Sequence, residues 1–295
     1  MTIERRDLHE SVPMLRNAPI PPRVWRELLE DDDVASIASD GGEMLLTLQD
    51  GQLNLHYAFA ELEGMRREFV PIFDDLKGEI DSFDADYVRI DLVQIPDRTW
   101  VEPLLEETDF QPFTEWMDME APELDAEMDP PDFPDGVAMR RGGPEDAGAI
   151  VEIEAAALDE LGDGEAAMRA RVEGSAWVGV LERDGKPIAY ALNDEVSRAE
   201  GRVSSSAVHP DEWGNGFGVL VLSAALYQLA ANEARRATVR VRPEITAALR
   251  TTREAGLKPG PRGIEWRRPV DEDVIAERRQ SLRLRGVKAR FGGWR

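Results

Sequence analysis

Cysteine is absent from the 295-residue chain, which excludes disulfides, thiolate metal sites and cysteine nucleophiles. Histidine is nearly absent: His9, His56 and His209 are the whole complement, too few and too scattered for a multi-histidine metal centre, so no metal site is expected. Lysine is scarce, with arginine outnumbering it 31 to 4. No run approaches the roughly 18 apolar residues of a membrane span. The opening stretch MTIERRDLHE carries no secretory apolar segment. These shortages predict a soluble, cytoplasmic protein without a membrane partner.

Acid is in excess. Asp and Glu number 59 against 35 Lys and Arg, a net charge of −24. That argues against a general nucleic-acid binder, whose affinity comes from neutralising phosphates. With 42% hydrophobic residues the chain can build a sizeable core, and its length suggests two domains. The charge divides in the same way. Residues 1–135 hold 35 acids and 10 bases, residues 136–270 hold 20 and 18, and residues 271–295 hold 4 and 7. Between the first two lies DPPDFPDG (129–136), three prolines and a glycine in eight residues, which reads as an extended linker. The expected division is therefore an acidic domain at 1–128, a linker at 129–136, a second domain at 137–270 and a basic tail at 271–295.

The second domain reads as a strand and helix series. A strand at 137–140 is broken by Gly142-Gly143-Pro144, and Pro144 suits the first turn of a helix running to about Leu161. Strands at 176–181 and 187–192 flank Asp184-Gly185, a dipeptide that favours a type I′ hairpin because both central residues need positive φ. Another strand spans 201–208. Then comes His209-Pro210-Asp211-Glu212-Trp213-Gly214-Asn215-Gly216-Phe217-Gly218. Behind it Val219, Leu222, Leu226 and Leu229 mark one face of a helix. A glycine-rich turn between strand and helix lets backbone amides approach an anion, and the helix dipole favours negative charge there. No Gly-Lys-Ser/Thr follows, so a P-loop is excluded, and the late position of the loop fits a dinucleotide fold poorly. A turn without a ligand stays open at this point. The strand at 237–241 and a helix opened by Pro243 and ended near Gly256 complete the series, with 257–268 closing it.

Val208-His209-Pro210, three residues, then Gly214-Asn215-Gly216-Phe217-Gly218 and a helix resembles the acyl-CoA-binding motif of the GNAT N-acetyltransferase superfamily. VAMRRGGPEDAGAIVEI (137–153) resembles that family's opening strand and helix, and ALRTTREAGL (248–257) its last helix and following strand. The resemblance covers about residues 136–270 in the right order. It implies acetyl-CoA as cosubstrate. Ala207 and Val208 would end the strand that pairs with the pantetheine arm, and Trp213, Gly214, Asn215, Gly216, Phe217 and Gly218 would hold the pyrophosphate through backbone amides. Trp213 stands where the family usually has Gln or Arg. Thr252 stands four residues before Gly256, where many members place the tyrosine that protonates the leaving thiolate, and Ile245 stands near the position of an expected asparagine. A general base is not marked. Asp194 and Glu195, or Asp159 and Glu160, lie where members build acceptor sites, yet each also reads as a solvated surface carboxylate. His209 reads as structural, and with one histidine in this half no Ser-His-Asp triad is supported.

The first half repeats this grammar. Strands at 45–48 and 53–59 flank another Asp-Gly, Asp50-Gly51. A helix at 68–80, a strand at 87–93, a helix capped by Asp97 and ending at Thr108, and a closing hairpin at 110–120 follow. Asp109-Phe110 sits where Gly256-Leu257 sits in the second half. Aligned on the two Asp-Gly turns, the second half has 13 extra residues, about the size of the glycine loop. The expected fold is α/β (α+β): tandem GNAT-like domains, each a mixed, mostly antiparallel sheet flanked by helices, the first without a cofactor loop; an unrelated α/β domain that shares a hairpin stays open for the first half. The acidic first half could wall an acceptor cleft and attract a cationic substrate. Asp31-Asp32-Asp33 reads as a solvated helix flank. The basic tail reads as docked on the acidic half or disordered, against a nucleic-acid arm. Two functions follow: an enzyme moving acetyl from acetyl-CoA to a primary amine, either a small molecule or a basic protein terminus, and an inactive acetyl-CoA sensor or scaffold. A homodimer is left open.

Overall fold

The computed structural model describes residues 15–30, 34–49, 52–83, 85–95, 98–125, 127–159, 165–276 and 280. Two compact units emerge: Met1–Phe113 with Glu265–Arg295, and Thr114–Ile264. Among the described residues no helix is long and apolar enough to cross a membrane.

In the second unit, strands β7 (Val137–Arg141), β8 (Trp177–Arg183), β9 (Lys186–Asn193) and β10 (Glu200–Val208) form an antiparallel meander, and β11 (Arg236–Val241) joins β10 in parallel. The β8–β9 turn is built as its dipeptide demands, with Asp184 at φ 53° and Gly185 at φ 78°. Helices α4 (Ala147–Leu158) and α5 (Glu165–Gly174) bury Ile150, Ile153, Met168 and Val172 against Val178, Val180, Tyr190 and Leu192. The alternate strand residues Leu181, Ala189 and Ala191 face a second core with α6 (Phe217–Ala231). Of the residues expected on the inner face of α6, Leu222, Leu226 and Leu229 are buried and Val219 is half-buried. The burial extends to Val221, Ala224 and Ala225, because α6 is apolar almost all round and packs on strands and on α7 (Thr246–Glu254) together. Helix α5 had no sequence signal and is an addition.

In the first unit, β2 (Val34–Ala38), β3 (Gly42–Gln49) and β4 (Gln52–Phe59) are antiparallel, and β5 (Tyr87–Val93) runs parallel to β4. Pairing of β3 with β4 runs to Gln49↔Gln52, so the strands flank Asp50-Gly51, which lies outside the described residues, as do Asp31-Asp32-Asp33, Asp97 and the tail arginines from Arg278 on. Helix α1 (Pro22–Leu29) buries Trp25 against Leu45 and Ala58. Helix α2 (Leu62–Ile80) buries Phe69 and Phe73. Phe69 meets Tyr57 edge-on at 5.6 Å, and Phe73 meets Phe110 at 5.5 Å. Helix α3 (Glu102–Glu107) ends at Asp109, φ 65°, with the Phe110 amide donating to Leu105 O at 2.9 Å. Helix α7 ends alike at Gly256, φ 87°, with Leu257 donating to Thr252 O at 3.0 Å.

The division falls elsewhere than the sequence suggests. The closing hairpin expected at 110–120 is instead one strand, β6 (Gln111–Ala121), which pairs from Met117 onward with β11 of the second unit. Leu124 then donates to Arg235 O at 2.8 Å, and Met128 and Phe133 pack on that unit's core. Residues 129–136 hold no helix or strand, six of the eight are exposed, and Phe133 is the one of them that packs on that core. Strand β12 (Lys258–Pro269), expected to close the second half, passes at Glu265 into the first unit, where it neighbours β5. There Val270 donates to Asp86 O at 3.0 Å, and Trp266 and Arg268 are buried. The repeat is also shifted by one strand. Asp50-Gly51 leads into β4, the strand before the parallel crossover, and its counterpart is β10, reached through the turn at 194–199. A two-residue hairpin selects Asp-Gly wherever it occurs, so the dipeptide does not mark equivalent strands.

Candidate acyl-CoA site

Strand β10 is paired with β9 from Val203↔Asn193 to Val208↔Ala189 but with β11 only from Glu200↔Arg236 to Val203↔Val239. Beyond Val203 the two parallel strands part, since β11 stays with β6 on its other side. The β9–β10 register shifts between Val203 and Ser205. That bulge moves the following residues to the opposite face: Val203 belongs to the α6 core, while Ala207 packs with α4 and α5. Residues 204–208 thus present one backbone edge to a gap.

The loop that follows is braced. The His209 amide donates to Ile188 O at 2.8 Å, and its Nδ1 accepts from the Asp211 amide at 3.3 Å, capping the short turn Pro210–Glu212. This histidine is structural. Glu212 is buried against Arg183 at 2.6 Å, and the Asn215 side chain donates to Glu212 O at 3.2 Å. Gly214 and Gly216 have φ of 86° and 78°, and a Cβ at either would meet open space. Their requirement is therefore backbone conformation, not room. Gly216 caps α6, and the described residues offer no hydrogen-bond acceptor to the amides of residues 214–218. These five amides lie at, or just before, the positive end of a 15-residue helix. Trp213 is 59% exposed, and its indole donates to Val208 O at 2.8 Å. Its polar atom is spent on the protein.

The other expected residues are placed apart from this gap or committed. Thr252 is 3% exposed, and its hydroxyl donates to Ala248 O and Leu249 O of its own helix at 3.0 and 3.1 Å. Asp194 sits at the end of β10 that stays paired to β11, 3.9 Å from Arg202, and Glu195 beside it is exposed. Asp159 is exposed at the end of α4, and Glu160 lies outside the described residues. A cluster that sequence reasoning missed stands at the bulge. Tyr190 is fully buried, its hydroxyl donates to Glu154 of α4, and Ser205 Oγ lies 2.8 Å away. Burial first, and the Glu154 charge second, push the Tyr190 hydroxyl well above the usual phenol range. The signal was present: a tyrosine in the apolar strand 187–192, and a glutamate one position after Ile153 on the inner side of α4, both needing partners once buried.

Residues 149–257 match the model of the acetyltransferase (GNAT) family. This segment is a GNAT acyltransferase domain. The β10, loop, α6 and β11 segment lies inside it. No curated protein matches the chain. Among solved structures, a GCN5-related N-acetyltransferase from Kribbella flavida is 16% identical, with 83% of this chain and 93% of that one covered at a TM-score of 0.58. One from Sphaerobacter thermophilus is also 16% identical, over 88% and 97%, at 0.58. A tandem GNAT protein from the clavulanic acid biosynthesis pathway is 17% identical, over 90% and 94%, at 0.56. At such identities these likenesses speak for the fold, and they extend it over both units.

Proposed function

We propose that the chain transfers an acetyl group from acetyl-CoA to a primary amine, inside the cell, with the GNAT domain as its one cofactor site and the first unit as a degenerate copy. The observation that carries this is the set of amides at residues 214–218, without acceptors among the described residues, at the start of α6 beside the parted strands β10 and β11. Trp213, Gly214, Asn215, Gly216, Phe217 and Gly218 would hold the pyrophosphate by backbone donors. Ala207 and Val208 would pair with the pantetheine arm. Attack by a neutral amine forms the amide bond and releases the thiol, and positioning supplies most of the rate. Thr252, bonded to its own helix, is no acid for the leaving thiolate, which takes its proton from solvent. The acidity of residues 1–135 favours a cationic acceptor, a small amine or a basic protein terminus.

Calorimetric titration with acetyl-CoA tests the reading. The expected result is one site per chain and, for Gly216→Glu, a loss of at least about 100-fold, or about 2.7 kcal/mol. The variant forces a side chain into positive φ and sets a carboxylate among the donors. Absence of binding in the parent protein at millimolar acetyl-CoA would overturn the enzyme and leave a structural or regulatory role.

A further inference from the structure

We propose that Ser205, Tyr190 and Glu154 form a one-way proton relay that serves as the base of the transfer, an inference resting on the acetyltransferase reading. Three observations carry it. The cluster begins at the bulge where β10 leaves β11, which is where an acyl group threaded between the strands would end. It runs inward from there: Ser205 is half-buried, Tyr190 is fully buried, and Glu154 is 4% exposed. Its hydrogen bonds also have a fixed sense. The single hydroxyl proton of Tyr190 is given to Glu154, so across the 2.8 Å contact Ser205 must be the donor. The lone pairs of Ser205 Oγ are then the accepting end of the chain, on the residue that follows the parting of β10 from β11. Arg171 of α5 is the other charged group bearing on the Tyr190 hydroxyl.

The step balances as follows. The amine nitrogen bonds to the acyl carbon, and the C–S bond breaks with its electron pair on sulfur. The surplus proton on nitrogen passes to Ser205 Oγ while the serine proton moves to Tyr190 and the tyrosine proton to Glu154. Glu154 later returns the proton to solvent, and the thiolate takes one from it. The hydroxyls need never ionise, which suits a tyrosine whose anion is strongly disfavoured. Ser205 would touch the acceptor, and Tyr190 and Glu154 act through it.

Glu154→Gln keeps the volume and an acceptor for Tyr190 but cannot take the proton. Rates are read with acetyl-CoA and three probes: spermidine, kanamycin and a peptide with a free N-terminus. For whichever probe turns over, the variant is expected to lose at least 30-fold in kcat/KM near neutral pH. The deficit should shrink as pH rises and hydroxide replaces the base. Acetyl-CoA affinity by calorimetry should stay within about twofold. Ser205→Ala, at a half-buried site, should show the same pH signature and decides the matter if Glu154→Gln fails to fold. Turnover in the parent with an unchanged pH–rate profile in folded variants overturns the relay alone. Acetyl-CoA binding without turnover of any probe overturns the enzyme reading and the relay with it.

Discussion

Both units contain a parallel strand pair that parts, and they treat the parting in opposite ways. In the GNAT domain β10 and β11 separate after Val203, and the glycine loop opens beside the gap. In the first unit β4 and β5 share only Leu53↔Val88 and Asn54↔Arg89. Beyond them β1 (Leu15–Arg16) pairs with β4 at Leu15↔Phe59 and Arg16↔Ala58. Asn17, 1% exposed, completes the plug. Its side chain accepts from the Tyr57 amide at 2.9 Å and donates to Asp91 O at 3.1 Å and Leu55 O at 3.3 Å, while its own carbonyl accepts from Val93 at 2.8 Å. The connection after β4 is also reduced to Ala60 and Glu61 before α2 begins. The same fold can therefore leave a parallel strand pair parted or close it with its own chain.

Asn17→Ala attacks the closed side and should have the largest effect on stability. It leaves a buried amide and two carbonyls without their partner. At roughly 1–3 kcal/mol for each stranded group, offset by local relaxation, the first unit should lose about 3 kcal/mol. Denaturant unfolding measures the loss, and hydrogen exchange at Tyr57 localises it. Acetyl-CoA stoichiometry should stay at one per chain. A second equivalent bound by the variant would show that the plug alone closes the first unit, and the contrast between the units would then be one of occupancy.

The next effect comes from His56 on β4, which has no counterpart in the GNAT domain. The residue is half-buried, yet Nδ1 is shut off from solvent without a partner among the described residues, and Nε2 lies 3.3 Å from Thr47 Oγ1. Burial, with Arg89 adding to it against Asp91, lowers its pKa to about 4. A base held below its unfolded value of about 6.5 stabilises the neutral fold fully above that pH, and the contribution fades as pH falls toward 4. Discounted for the residue's partial exposure, the first unit should lose on the order of 2 kcal/mol across that interval. His56→Gln should flatten the slope in urea titrations between pH 7 and 4. An unchanged slope would assign the acid sensitivity to carboxylates.

The order of elements in the GNAT domain was legible because each strand is punctuated: Gly142-Gly143-Pro144, Asp184-Gly185, the glycine loop and Gly256 all fall at observed breaks. The first unit's β4 and β5 were legible by alternation in the same way. The exchange of β6 and β12 was not, because an alternating strand says which face it buries and nothing about which sheet will take it. Asn17 carries no pattern, since its meaning lies in backbone groups 38 to 76 residues away in the chain. Glu154, Tyr190 and Ser205 are likewise separated by 36 and 15 residues, and only the bulge in β10 turns the serine to the face where the other two meet.

The smallest effect tests the open side. Trp213 replaces the polar residue the family resemblance leads one to expect, and its indole is bonded to Val208 O. If the pyrophosphate grip is made by amides, removing that N–H should matter little. Trp213→Phe keeps an aromatic ring at an exposed site, leaves Gly214 and Gly216 in their turns, and frees one carbonyl at the end of β10. The affinity for acetyl-CoA should then move by less than about threefold, or about 0.7 kcal/mol. A gain would mean that Val208 O serves the pantetheine arm better once released. A loss beyond tenfold, about 1.4 kcal/mol, would mean that the indole holds the loop in its binding shape. The second unit would then be open only because Trp213 keeps it so, just as the first is closed because Asn17 does.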